Sequence, residues 1–240
     1  VPPSALSDAP ALQIDRLSFA YPGQGPVIDF DASRAGAPLR LARGEQLLLV
    51  GGSGTGKSTL LHLVSGLMDP SAGEVLVAGQ AIHALHGAAR DHFRGRHIGM
   101  VFQTFNLLHG FTALENVMAP MMFSAIPKGE HSARARSLLE HLGIREVDKD
   151  VDRLSVGQQQ RVAVARAVAC DPVLVLADEP TASLDPENAA GAISLIQSLC
   201  REKNAALLCV SHDPSLPSQF PRQLHFRALA PIASPATPTR

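Results

Sequence analysis

Short uninterrupted apolar runs alternate along this chain with stretches in which apolar residues recur every three or four positions. The runs have the length of buried strands, and the periodic stretches have the spacing of one helix face. The pattern predicts strands over 12–19, 46–50, 74–77, 98–102, 173–177 and 206–211. It predicts helices over 56–65, 113–123, 132–142, 156–169 and 186–201. Alternation of this kind argues for an α/β core. Residues from about 104 to 170 interrupt it with helical patterns and no convincing strand, so a separate inserted helical lobe is expected. Both ends lack a periodic apolar face: residues 1–10 carry three prolines, and 231–240 read PIASPATPTR. Disorder is expected in both, leaving one domain over 11–230.

Composition narrows the setting. No stretch approaches the ~18–20 apolar residues needed to span a bilayer, and the first residues lack the basic start and apolar middle of a secretory signal. The three cysteines, Cys170, Cys200 and Cys209, are too few and too scattered for a disulfide framework. Cys209, inside an apolar run, reads as a buried free thiol. A cytoplasmic protein is expected. The formal net charge is −1, so no global positive field would recruit nucleic acid, and none is expected as a partner.

Candidate chemistry begins after the strand at 46–50, where the chain reads Gly51-Gly52-Ser53-Gly54-Thr55-Gly56-Lys57-Ser58-Thr59. Gly51 and Gly56-Lys57-Ser58 satisfy the G-x-x-x-x-G-K-[ST] pattern. A strand, a glycine loop and a helix in that order aim backbone N–H groups and a helix N-terminus at one point, which suits phosphate. Lys57 would reach the β- and γ-phosphates of ATP, Ser58 would hold Mg²⁺, and Thr59 would add a phosphate hydrogen bond. A second acidic element, Asp178-Glu179-Pro180, ends the apolar run before it. Taken alone, such a pair reads as a solvated strand end. Beside a phosphate loop it is the expected other half of an ATPase, with Asp178 on Mg²⁺ and Glu179 polarising the attacking water. Strand alternation would point the two carboxylates to opposite sides.

Residues 154–161 read Leu-Ser155-Val156-Gly157-Gln158-Gln-Gln-Arg ahead of a helical run, about twenty residues before Asp178. This resembles LSGGQ, the signature of ABC transporter ATP-binding subunits, and the resemblance covers roughly residues 11–213. It implies a P-loop NTPase core of ABC type, with a mixed sheet, helices and an inserted α-helical subdomain. It further implies that two subunits pair head to tail, each ATP lying between one subunit's lysine loop and the other's Ser155, Gly157 and Gln158. Other positions match the family's pattern. Gln103 matches the Q-loop that contacts Mg²⁺ and responds to the membrane partner, and His212 the switch histidine beside the γ-phosphate. Asp185 lies in the D-loop that crosses the dimer interface, and Tyr21 stands at the aromatic position that stacks on adenine. The implied catalytic set is therefore Glu179, His212, Gln103 and Lys57. Three features depart from the pattern: Val156 replaces the first signature glycine, Gly52 stands where many relatives have proline or serine, and the chain after His212 lacks the usual closing strand-turn.

The stretches Arg96–Gln103, Phe105–Leu108 and Thr112–Val117 are most similar to lipoprotein-releasing and macrolide-exporting ATPases. That subgroup implies a separate permease with few membrane helices, gripped mainly by residues 103–122, and peripheral attachment to the inner membrane through it. The ATPase of an importer for a small solute is the alternative. A non-transport ABC ATPase acting on DNA or ribosomes fits less well, since the chain has neither a long coiled-coil insertion nor a second cassette. His83, His86, His92 and His97 could in principle hold a metal, but no carboxylate stands at helical spacing to complete a site. Arg90, Arg94 and Arg96 read as a solvated loop before a strand.

Overall fold

The computed structural model describes residues 9–184 and 186–226. Most of the expected disorder, over 1–8 and 231–240, lies outside these residues. At the centre is a five-stranded all-parallel sheet of β5 (Gln46–Val50), β9 (Ile98–Val101), β10 (Leu174–Asp178), β11 (Ala206–Ser211) and β12 (Arg222–His225), in the order β12-β5-β11-β10-β9. Strands β5, β10 and β11 read as apolar runs because both faces are covered, whereas the edge strand β12 is polar and half-exposed. Side chains alternate between two cores: Leu47, Leu49, Leu174, Leu176 and Leu208 face one, and Leu48, Val175, Ala177, Leu207 and Cys209 face the other.

The first core is closed by two small antiparallel sheets and α2 (Lys57–Val64). One sheet joins β1 (Leu12–Ile14), β4 (Leu39–Leu41), β7 (Leu76–Val77) and β8 (Gln80–Ala81); the other joins β2 (Arg16–Ala20), β3 (Pro26–Asp31), which leads into the one-turn α1 (Ala32–Ala35), and β6 (Ala72–Gly73). The single strand expected over 12–19 is thus divided, and of the strand expected over 74–77 only β7 (Leu76–Val77) forms. The chain steps from one sheet to the other at Asp15, whose carbonyl accepts from Ala32 N and leaves the ladder. Strands β3 and β4 escaped the sequence pattern.

The second core lies between the other face of the parallel sheet and α4 (Ala113–Met118), α5 (His131–His141), α6 (Val156–Val168) and α7 (Pro186–Glu202). The block 104–170 is helical as expected, its only pairing being a single bridge between Thr112 and Asp150. It has no core of its own, however: Val117, Leu139 and Val162 belong to the same cluster as Val175 and Leu207. The helix expected over 113–123 stops at Met118 and continues as 3₁₀ turns, because Pro120 supplies no N–H and its ring crowds the carbonyl four residues back.

Two further expectations are corrected. Residues 87–97 form a helix, α3 (Gly87–His97), rather than a solvated loop. Its arginines are engaged, Arg90 Nε donating to Leu85 O at 2.7 Å and Arg94 Nη1 to Gly66 O at 3.3 Å just past α2. Cations there satisfy carbonyls at the negative end of α2. The stretch after His212 does supply a closing strand, β12, which runs parallel beside β5 and delivers the buried Phe226 beneath the loop at Gly51.

Candidate active site

Gln103, Gly51, Glu179, His212 and Phe226 all follow the C-terminal ends of parallel strands, the edge at which open α/β sheets place their ligand sites. The loop after β5 turns into α2 at Gly56, whose φ of 102° only glycine adopts freely and whose added Cβ would lie 2.5 Å from Val27 Cγ1. Lys57, buried at the first position of α2, folds back so that Nζ donates to Gly51 O and Gly52 O, both at 2.8 Å. Thr55 Oγ1 donates to Gly52 O at 2.9 Å, while Gly52, Ser53, Gly54 and Ser58 are open to solvent.

Lys57 also reaches Glu179, with Nζ 3.2 Å from Oε1. Glu179 sits just past β10 with φ 45°, a conformation costly for a residue with a side chain. Leaving the strand in this way swings its carboxylate onto the end of β11. Oε2 accepts from Ser211 Oγ at 2.9 Å and from His212 N at 3.2 Å, and Oε1 lies 2.8 Å from His212 Nδ1. Strand alternation therefore does not divide Asp178 from Glu179; the left-handed turn does. Burial raises the Glu179 carboxyl, but hydrogen bonds from His212, Ser211 and Lys57 outweigh it and leave the group below its ordinary range. Asp178 goes the other way. Burial pushes its carboxyl up, the neighbouring Glu179 charge adds to that, and the Ser58 hydroxyl opposes it in part. Its Oδ1 is buried without a hydrogen-bond partner among the described residues. Ser211, which the sequence reading missed, is one of two groups holding Glu179 Oε2; its only signal was its place immediately before His212.

Tyr21 stands beside this loop, half-exposed, its hydroxyl 2.9 Å from Thr59 Oγ1 and its ring edge-on to Phe19. Thr59 is itself buried, so its hydroxyl is directed at Tyr21. The Gln103 side chain is exposed, and its carbonyl accepts from Ser183 Oγ at 2.8 Å. Ser155 caps α6 in a reciprocal box: its Oγ accepts from Gln158 N at 3.3 Å, and Gln158 Oε1 accepts from Ser155 N at 3.0 Å. Among the described residues no hydrogen bond or ion pair joins Ser155, Gly157 or Gln158 to the loop at 51–59. Asp185 lies outside the described residues.

A cavity of ≈ 360 Å³ opens on another side, between α3, β9, the turns at 119–123 and α6, lined by Gly95, Phe102, Pro120, Phe123 and Arg166 among others. Phe123 and Met122 beside it are exposed at 52% and 70%. No group of three or more metal-ligating side chains occurs among the described residues: His83 pairs with Asp69, and His97 packs on Phe93. No helix among them is long and apolar enough to cross a membrane.

A glycine loop carrying a lysine onto a helix start, with two carboxylates on the next strand but one, defines a phosphate-loop nucleoside triphosphatase. The ABC transporter family profile matches residues 35–182, more than half of the chain. The lipoprotein-releasing system ATP-binding protein LolD of Chromohalobacter salexigens is 45% identical over 179 residues, covering 74% of this chain and 76% of the relative. LolD of Xanthomonas oryzae pv. oryzae is 44% identical over 204 residues, covering 82% and 84%. The dimeric post-hydrolysis structure of the ATP-binding cassette MJ0796 bound to ADP and Pi superposes with a TM-score of 0.76 at 31% identity, over 91% of this chain and 94% of that one. The chain belongs to the ABC transporter family, as an ATP-binding and ATP-hydrolysing subunit.

Proposed function

We propose that two copies of this chain close on two ATP molecules and so drive a separate membrane permease of the lipoprotein-releasing type, with Lys57 of one copy and Ser155 of the other gripping each nucleotide. The observation that carries the shared site is at Gly157. A Cβ there would meet nothing within 4 Å among the described residues, so their packing does not require glycine. Space kept free at an anion-binding helix start fits the close approach of a phosphate held by another molecule. The dimeric cassette and the names of the LolD relatives support the same reading.

Each residue's task follows from the geometry. Phosphate oxygens compete with Gly51 O and Gly52 O for the Lys57 ammonium, drawing it from the loop's own carbonyls to the β- and γ-phosphates. The residues present fit a divalent cation: Asp178 keeps one buried oxygen unpaired beside Ser58. Ser58, Asp178 and Gln103 would hold Mg²⁺, which when bound neutralises charge on the phosphates. Glu179, held ionised by Ser211 and His212, orients water and accepts its proton. When Lys57 turns to phosphate, Glu179 loses one of its partners, which leaves the carboxylate more basic at the moment it is needed. His212 remains on Glu179 Oε1 and faces the transferred phosphoryl group with its other nitrogen. Tyr21 offers a half-exposed ring to adenine. The cavity between α3 and the 119–123 turns, with its exposed Phe123, receives the permease, so that α3 contributes to docking along with residues 103–122.

Mixing two inactive variants tests the shared site. Lys57→Ala and Gly157→Asp should each abolish turnover as homodimers, but together they form one dimer containing one intact Lys57–Gly157 pair. Recovery of ATP hydrolysis on mixing is the expected result. A mixture as inactive as its components, beside an active wild type, contradicts the shared site.

A further inference from the structure

Where the chain leaves β9 it makes two consecutive left-handed residues, Phe105 (φ 61°) and Asn106 (φ 47°), neither of them glycine. Such a pair persists only where its surroundings enforce it. Here the enforcing group is Arg166, near the C-terminal end of α6: Nη2 donates to Phe105 O at 2.6 Å and Nη1 to Asn106 O at 2.5 Å. Among the described residues Arg166 forms no ion pair; burial lowers it to about 10, still charged at neutral pH. A guanidinium withdrawn from water and given only two adjacent carbonyls is a fork fitted to one backbone conformation.

Arg166 is itself fixed. Gly99 in β9 lies so close to α6 that an added Cβ would be 2.0 Å from Ala167 O. This end of α6 therefore cannot slide on the strand that leads to Gln103. Farther along, Ser183 Oγ holds Gln103 O. The segment 103–106 is thus clasped from α6 on one side and from the turn after β10 on the other, and Arg166 also lines the cavity beside Phe102 and Phe123.

We propose that Arg166 is a positioning residue, which fixes the left-handed pair Phe105–Asn106 and thereby aims Gln103 at the bound nucleotide. It touches neither substrate nor reacting atoms and acts through the backbone. The inference rests on the role given to Gln103 above.

The test uses the full chain and MgATP. Arg166→Met should lower kcat by about tenfold, the scale of a modest misplacement of a catalytic group, with KM held within about twofold. Arg166→Lys, with one point of contact in place of a fork, should fall between. Hydrogen exchange of amides 103–107 should quicken in both. Combined with Gln103→Ala, Arg166→Met should add no further loss, because both act through one group. Losses that multiply in the double variant overturn the proposal, as does a normal kcat in Arg166→Met beside a crippled Gln103→Ala. If Gln103→Ala itself turns over like wild type, the role of Gln103 fails and this inference fails with it. Should Arg166→Met not fold, Arg166→Lys decides: wild-type exchange and kcat in that variant overturn the proposal.

Discussion

The lysine loop and the signature helix both present a helix N-terminus to an anion, yet the chain treats them differently. Around Lys57 the charged groups find partners within the chain, with Glu179 joined to Lys57, Ser211 and His212 at 2.8–3.2 Å. Around Ser155 the side-chain hydrogen bonds among the described residues are those of its own capping box, Val156 is 53% exposed, and Gly157 faces open space among these residues. A preorganised half and a bare half are what a site shared between two copies requires. For the role proposed for Glu179, its carboxylate must be oriented before ATP arrives, since ordering it afterwards would draw on binding energy. In the proposed shared site the signature must remain uncovered, because its partner would belong to the other copy.

The largest effect should come from the preorganised half. Glu179→Gln keeps the size of the side chain and can keep a bond to Ser211, but it cannot accept a proton from water. Turnover should fall by about 10²–10³-fold, the usual weight of a general base, while ATP still binds and the closed dimer accumulates. Steady-state hydrolysis with size-exclusion chromatography in ATP checks both. Normal turnover would remove Glu179 from its role.

A pair of glycine substitutions tests the same contrast through stability. Gly99→Ala drives a Cβ into Ala167 O, backbone that can retreat only by lifting α6 from β9, and should cost about 2–3 kcal/mol. Gly157→Ala meets nothing among the described residues, so its unfolding free energy from urea titration should not fall below wild type and should rise by at most about 1 kcal/mol, while MgATP turnover falls. A large stability loss at Gly157 would mean that the fold, rather than a partner, needs the glycine.

How far the sequence carried these distinctions depends on where the information lies. The lysine loop was legible because its glycines, lysine and flanking periodicities are local. The buried strands β5, β10 and β11 were legible because two covered faces leave an unbroken apolar run. β3, β4 and β12 were not: they alternate polar and apolar residues over few positions, and β12 is defined by pairing with β5, far away in sequence. Helix α3 reads as polar because its arginines are spent on the carbonyls at Gly66 and Leu85, a tertiary use that composition cannot reveal. Asp178 and Glu179 were found from their type and place, but the turn at Glu179 that separates their tasks breaks the strand rule from which their directions were first argued.

Outside both halves, the junction of α3 and β9 should carry a pH dependence of its own. His97, at the junction of α3 and β9, is lowered to about 4 by burial, with the positive charges of Arg96 and Arg43 adding to the effect. The folded chain then keeps the imidazole neutral while the unfolded chain takes up a proton near the ordinary 6.5. Stability should accordingly fall as pH drops from 6.5 towards 4 and level off below that, by something on the order of 2 kcal/mol. Glu179, lowered in the native state, adds stability at neutral pH that is lost only as pH falls through its depressed value. In His97→Phe, which retains the packing on Phe93, the decline between pH 6.5 and 5 should flatten; an unchanged slope would place the titration elsewhere.

The smallest effect is expected at Val156, the position where the signature departs from the family's glycine. Val156 is the first residue of α6, exposed, with Ser155 and Gln158 bonded to each other across it. Its side chain contributes no core, and the box that aims the helix start does not depend on it. Val156→Gly should therefore change stability by no more than ~0.5 kcal/mol, the difference in helix propensity, and leave MgATP turnover within about twofold. A tenfold rise in turnover would show that the valine crowds the nucleotide held by the other copy. The bare half would then be bare only at Gly157, and Val156 would act as a brake built into the shared site.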